Sequence, residues 1–217
     1  MPKVFLKIMA QLKNILFDLG GVLLDIDYNK TKLSFEELGF NRFDEMYTQY
    51  SADMLFSDLE TGHISPGHFY DYLVKKAEGK INAPEIERAW NAMLLDFRLS
   101  SIRFLDSLAK HYKLYLLSNT NAIHKKAFAG NFRQQTGKAQ LDDCFTKAYY
   151  SQETGFRKPN ADIFEFVLKD AGIQAGETLF IDDSYNNIET ARKLGFQTWL
   201  LKPGERIETL EVFANIT

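Results

Sequence analysis

Four groups of polar residues fall at, or just beyond, the ends of short apolar runs: Asp18, Ser118-Asn119, Lys158 and Asp182-Asp183. Taken singly, most have a structural explanation. An Asp after a strand caps a turn, a Ser-Asn pair caps the next helix, and paired Asp residues suit the positive end of a helix. Lys158 fits less well, because it precedes Pro159 at the start of an expected helix, where the dipole disfavours a cation. A bound anion or a carboxylate partner would explain that placement; the alternative is a solvated lysine. Taken together, the groups make a chemical device. A carboxylate nucleophile attacks a dianionic phosphate only when a cation offsets the repulsion. Asp18 and Asp183 supply hard oxygen ligands for Mg²⁺. The hydroxyl and amide of Ser118-Asn119 can hold the non-reacting phosphate oxygens, and Lys158 neutralises remaining charge and keeps Asp18 ionised.

Such residues need a scaffold that brings strand ends together. Ile15-Leu16-Phe17, Lys113 to Leu117, Ala148 to Ser151, Thr178 to Ile181 and Thr198 to Leu201 read as buried strands. Helical patterns at Ser101 to His111, from Pro159 and at Asn186 to Leu194 alternate with them, which predicts a doubly wound parallel sheet. About 100 residues separate Asp18 from Ser118, whereas a βαβ crossover needs roughly 30. The surplus, from about Asn29 to Leu95, is helical, with Pro66 and Pro84 at helix starts and Gly62 and Gly79 at helix ends. The expected architecture is α/β: a Rossmann-like doubly wound core (residues 1–27 and 97–217) carrying an inserted all-helical cap domain (28–96).

The 217 residues are 45% hydrophobic and 25% charged, enough to bury a core and inconsistent with a disordered chain. With 26 basic and 29 acidic residues the net charge is -3, so no basic excess exists to hold nucleic acid. Lys7 and Lys13 break the N-terminal apolar stretch, and Ile15 to Leu24 is too short to span a bilayer. The lone Cys144 suits a reducing compartment and reads as a packing residue. A soluble cytoplasmic protein is expected, monomer or homodimer, without nucleic-acid or membrane partners.

The segments ILFDLGGVLLD, LYLLSN, RKPNADIF and LFIDDSYNNIETARKLG, in this order, resemble the motifs of the haloacid dehalogenase superfamily, and the helical insertion is similar to that family's cap. The stretches LETGHIS and DLGGVLLDID resemble the branch with sugar-1-phosphate phosphatases and the N-terminal phosphatase domain of soluble epoxide hydrolases. The resemblance implies a Mg²⁺-dependent hydrolase of a small phosphorylated metabolite, a sugar phosphate, acting through an aspartyl-phosphate. It implies Asp18 as nucleophile and metal ligand, the Gly20 carbonyl and Asp183 as further ligands, with Asp182 close by. Ser118 and Asn119 would bind phosphate, Lys158 would bridge phosphate and Asp18, and Asn187 would orient a metal-bound water. Family phosphatases commonly carry a second Asp two residues after the nucleophile as general acid and base. Here that residue is Gly20, and Asp25 and Asp27 read as turn or linker residues.

Two rivals share much of this pattern. A metal-independent 2-haloacid dehalogenase also lacks the second Asp but has no use for Asp182-Asp183, and a phosphate-binding pseudoenzyme would keep every binding group. A receiver-type signalling module would place its acidic pair first in the chain. In the cap, Tyr47, Tyr50 and Phe69 read as core before substrate contacts, and His63 and His68 as surface residues. Asn121 reads as a helix cap, with His124 close behind it, and Arg157 as a surface or ion-pairing residue.

Overall fold

In the computed structural model, residues 12–41, 43, 47, 53–214 and 216 are described; Tyr50 and Lys7 lie outside them. The central strand β1 (Asn14–Phe17) is buried along its whole length, as a strand flanked by helices on both faces must be. It pairs in parallel with β4 (Lys113–Ser118) on one side and β6 (Thr178–Asp182) on the other. The strands β5 (Lys147–Tyr150) and β7 (Gln197–Leu200) complete a five-stranded parallel sheet of order β5-β4-β1-β6-β7. The chain runs outward from β1 to one edge and then returns to build the other. The carboxyl ends of β1, β4 and β6 therefore meet where the winding reverses, the place where open α/β sheets bind ligands.

Side chains along the strands alternate between two cores. Ile15, Phe17, Leu114, Leu116 and Ile181 pack on one face. Leu16, Tyr115, Leu117 and Phe180 pack on the other, against Ile163, Phe164, Val167 and Ile188. The helices that cover the sheet are α5 (Leu99–Leu108), α6 (Ala122–Thr136), the short α7 (Ser151–Thr154), α8 (Ala161–Ala171) and α9 (Tyr185–Lys193).

The inserted segment contains α1 (Tyr28–Glu37), α2 (Met54–Glu60), α3 (Pro66–Lys76) and α4 (Ala83–Asn91). Local signals set their starts. Asp27 caps α1, Ser65 caps α3 ahead of Pro66, and Asn82 with Glu85 forms a reciprocal capping box on α4. These helices enclose an aromatic core of Phe35, Phe43, Phe56, Phe69 and Trp90, separate from the two sheet cores. Phe69 is fully buried in it.

The sequence pattern misses one feature. The segment is not helical up to Leu95: β3 (Leu94–Phe97) pairs antiparallel with β2 (Leu24–Ile26), so a two-stranded ribbon joins insertion and sheet. Strands this short carry too few residues for an alternation to show. Asp25, on β2, pairs with Arg98 at 2.7 Å. No helix among the described residues is long and apolar enough to cross a membrane.

Candidate active site

The end of β1 delivers Asp18, and the end of β6 delivers Asp182 and Asp183. Carboxylate oxygens from all three lie within 4.8 Å of one another. Lys158 enters between them from the loop before α8 and is 2% exposed. Its Nζ donates to Asp18 Oδ1 at 2.6 Å and to Asp182 Oδ2 at 2.7 Å. Helix α8 starts at Ala161, not at Pro159. The reason is that the backbone of Lys158 is already engaged: its N–H donates to Asn119 Oδ1 at 2.9 Å, and its carbonyl accepts from Asn119 Nδ2 at 2.8 Å.

Asn119 thus uses one bond at each end of its side-chain amide to position Lys158, and it also lines the cavity above the floor. Ser118 is buried, with its hydroxyl 3.4 Å from the Asn119 carbonyl. Asp182 is fully buried and saturated by the protein. Besides Lys158, it accepts from the Ser184 N–H at 2.8 Å and from Asn187 Nδ2, 3.0 Å from each carboxylate oxygen. Asn187 therefore fixes Asp182, a task different from orienting a metal-bound water. Asn121 caps α6, accepting from the N–H groups of Ile123 and His124.

Asp183 lies over the loop that follows Asp18. Gly21 has φ 71°, and a Cβ there would fall 2.1 Å from Asp183 Oδ2. Glycine is required at this position for both its conformation and its lack of a side chain. Gly20 is tight for another reason: a Cβ there would stand 3.2 Å from Ile26 Cγ1. A side chain at position 20 would need Ile26 of β2 to give way by a few tenths of an ångström.

The electrostatics call for a cation. Burial pushes Asp18 up to about 7, with Asp182 and Asp183 adding to the rise against the pull of Lys158. Burial and Asp182 likewise push Asp183 up to about 6. One ammonium does not offset three clustered carboxylates. A small hard divalent ion such as Mg²⁺, which prefers oxygen ligands, fits this donor set.

Above this floor lies a cavity of about 200 Å³ lined by Asp18, Asn119, Lys158 and Asp183 from the core and by Tyr28, Tyr47 and Glu60 from the insertion, with Arg157 beside them. A second recess, of about 50 Å³, shares Gly20, Tyr28, Tyr47, Glu60 and Asn119 and is otherwise bordered by residues that include Ser118, His124 and Phe128. Glu60 Oε2 lies 2.8 Å from Arg157 Nη2, and Glu60 Oε1 accepts from the Tyr47 hydroxyl at 2.9 Å. Burial raises the pKa of Glu60, opposed by Arg157 and Tyr47. Burial and Glu60 raise the pKa of Tyr28 and Tyr47, so both keep their protons. Sequence reasoning missed Tyr28 and Glu60 as cavity residues and read Tyr47 as core. Glu60 stands within LETGHIS, yet nothing local distinguishes it from a solvated helix glutamate. His63 is exposed and near Asp58, outside this cavity.

Comparison with known proteins agrees with the arrangement. The haloacid dehalogenase-like hydrolase family matches residues 12–195. A D-ribitol-5-phosphate phosphatase of Bacteroides thetaiotaomicron is 35% identical over 189 residues, 87% of this chain and 91% of the relative. The crystal structure of a HAD family enzyme from the same organism, in complex with magnesium and inorganic phosphate, superposes with a TM-score of 0.82 at 37% identity, covering 90% of this chain and 97% of that one. A predicted HAD-like family hydrolase from Porphyromonas gingivalis gives a TM-score of 0.82 at 35% identity, covering 90% and 93%.

Proposed function

The chain belongs to the haloacid dehalogenase-like hydrolase family, and from that membership and the geometry of the floor we propose that it is a Mg²⁺-dependent phosphatase of a small phosphorylated metabolite, a sugar or sugar-alcohol phosphate. The observation that carries this reading is the cluster of Asp18, Asp182 and Asp183 around the buried Lys158 at the switch point of the sheet. A dehalogenase needs no such cluster. The relative named a ribitol phosphate phosphatase and the magnesium and phosphate complex of the structural neighbour support the same class.

Asp18 and Asp183 would hold the ion, with the Gly20 carbonyl beside them. When bound, Mg²⁺ draws charge from the phosphate oxygens and offsets the carboxylates that surround them. Lys158 steers the phosphate and, through its bond to Asp18, keeps the nucleophile ionised and aimed. The Asp18 carboxylate attacks phosphorus in line as the ester oxygen departs and takes up a proton, leaving an aspartyl-phosphate. Water then cleaves that anhydride, releasing inorganic phosphate and restoring the carboxylate. Asp182 and Asn119 fix the position of Lys158, Asn187 fixes Asp182, and Ser118 and Asn119 stand where they would bind phosphate.

Position 20, a glycine, offers no general acid. General acid catalysis is typically worth roughly 10²–10⁴ in rate, so kcat should fall steeply as the leaving-group pKa rises in a series of similarly bound esters. A cytoplasmic setting agrees with Cys144 being the one cysteine of the sequence. The deciding assay measures inorganic phosphate released from phosphorylated sugars and polyols with Mg²⁺ and with chelator, beside halide released from a 2-haloacid. Chelator-sensitive phosphate release is expected. Metal-independent halide release in its place would overturn the reading.

A further inference from the structure

Glu60 is an unusual residue for its position. It is the last residue of α2, where the helix dipole disfavours a carboxylate, and it is only 4% exposed. Neither helix stability nor solubility accounts for a buried charge there. Its surroundings are built to hold it in place. Two residues on, Gly62 has φ 72°, and a Cβ there would come 2.3 Å from the Gln152 carbonyl oxygen of the core. The end of α2 thus abuts α7 with no space for a side chain, which sets Glu60 against Arg157, the chain neighbour of Lys158. The contact is an ion pair whose angles stop short of a full hydrogen bond. Glu60 Oε2 and Arg157 Nε consequently have no hydrogen-bond partner among the described residues. Buried polar atoms left in this state cost stability unless another group completes them.

We propose that Glu60, braced by Arg157 and Tyr47 across the cavity from Asp18, is the specificity-determining residue of this enzyme, selecting an uncharged polyhydroxylated leaving group and rejecting one that carries a second anion. The inference rests on the phosphatase reading and names the substrate class of that site. A hydroxyl can donate to the carboxylate and accept from the guanidinium, so a polyol satisfies both. A carboxylate or second phosphate on the leaving group meets Glu60 as a like charge, while Arg157 is already neutralised by it. The ion pair with Arg157 at 2.8 Å and the hydrogen bond from Tyr47 hold the Glu60 carboxylate in place against the rise in pKa that burial causes.

The test compares kcat/KM for ribitol 5-phosphate and 5-phosphoribonate, which differ only in a terminal alcohol against a carboxylate. Ratios are read because a substitution in the cavity wall also changes overall rates. The parent should prefer the polyol by about 100-fold, the scale of a like-charge contact. Glu60→Gln removes one negative charge and releases the charge of Arg157, so the ratio should fall at least about tenfold, chiefly by a gain on the phosphoribonate. Arg157→Gln should move the ratio the other way, and decides the matter if Glu60→Gln does not fold. A ratio unchanged in the folded Glu60 variant, or two variants shifting it in the same direction, would overturn the proposal. A parent that releases phosphate with Mg²⁺ but shows no preference also overturns it and leaves the phosphatase reading intact. A parent that releases phosphate from neither compound, nor from an aryl phosphate, removes the phosphatase reading as well.

Discussion

The two walls of the cavity are built on different principles. The floor is made of short acidic side chains at strand ends, anchored by hydrogen bonds to backbone and to one lysine. The roof is made of longer side chains, Tyr28, Tyr47 and Glu60, held by an aromatic core in which Trp90 sits 4.7 Å from Tyr47, 5.1 Å from Phe56 and 4.6 Å from the His124 ring, centroid to centroid. The floor concentrates charge and draws its precision from the sheet. The roof concentrates apolar area and draws its precision from packing. Chemistry is thereby separated from selection: loss of the floor should abolish turnover in a folded protein, whereas loss of the roof should cost stability and discrimination first.

The sharpest way to break this division is Asp18→Asn. Turnover should fall by roughly 10⁴-fold or more, as when a nucleophile is removed, with no loss of melting temperature, because one of three mutually repelling carboxylates is neutralised. Turnover within tenfold of the parent would place bond breaking elsewhere. The roof counterpart is Trp90→Ala, which removes a fully buried ring and should cost about 3–5 kcal/mol in denaturant unfolding. The folded fraction should keep the Mg²⁺ requirement of the parent, and a shifted requirement would contradict the separation.

The junction of the two regions has its own signature in pH. His124, on α6, is buried, and its Nε2 lies 3.0 Å from the Trp90 carbonyl. Burial lowers its pKa to about 4 from 6.5, with the bond to Trp90 acting in the opposite direction. The unfolded chain therefore takes up a proton below pH 6.5 that the folded chain refuses until about pH 4. The contribution is fully present above 6.5 and is lost as pH falls through that window, on the order of 3 kcal/mol in all. Unfolding free energies of the parent and of His124→Gln between those limits measure it, and parallel curves would remove His124 from the account. The smallest effect expected is Asp183→Ala, which should raise the Mg²⁺ concentration for half-maximal rate by about 100-fold. A Mg²⁺ titration showing no shift would take Asp183 out of the metal site.

Much of the floor can be read along the chain because its residues follow from strand position. Asp18 and Asp182 end apolar runs, and of the partners that would explain the placement of Lys158, a bound anion or a carboxylate, the structure supplies carboxylates in Asp18 and Asp182. Only the structure shows that helix α8 starts two residues later than expected, where Asn119 bonds the backbone of Lys158. The structure adds positioning bonds to Asn119 and Asn187 that the sequence does not show. Which groups an amide meets depends on chain segments far apart in sequence, so only the fold shows them.

By itself the sequence determined what depends on local order: the alternation of strands and helices, the helical insertion, the capping residues and the acidic strand ends. Periodicity and cap chemistry act over a few residues, so one dimension suffices to find them. The tertiary structure alone decided what depends on distant parts of the chain meeting: the β2–β3 ribbon, Ile26 in the space beside Gly20, Asp183 over Gly21, and Glu60 against Arg157. Those pairs are set by the winding of the sheet and the seating of the insertion on it, and a buried glutamate differs from a solvated one only in what the fold packs around it.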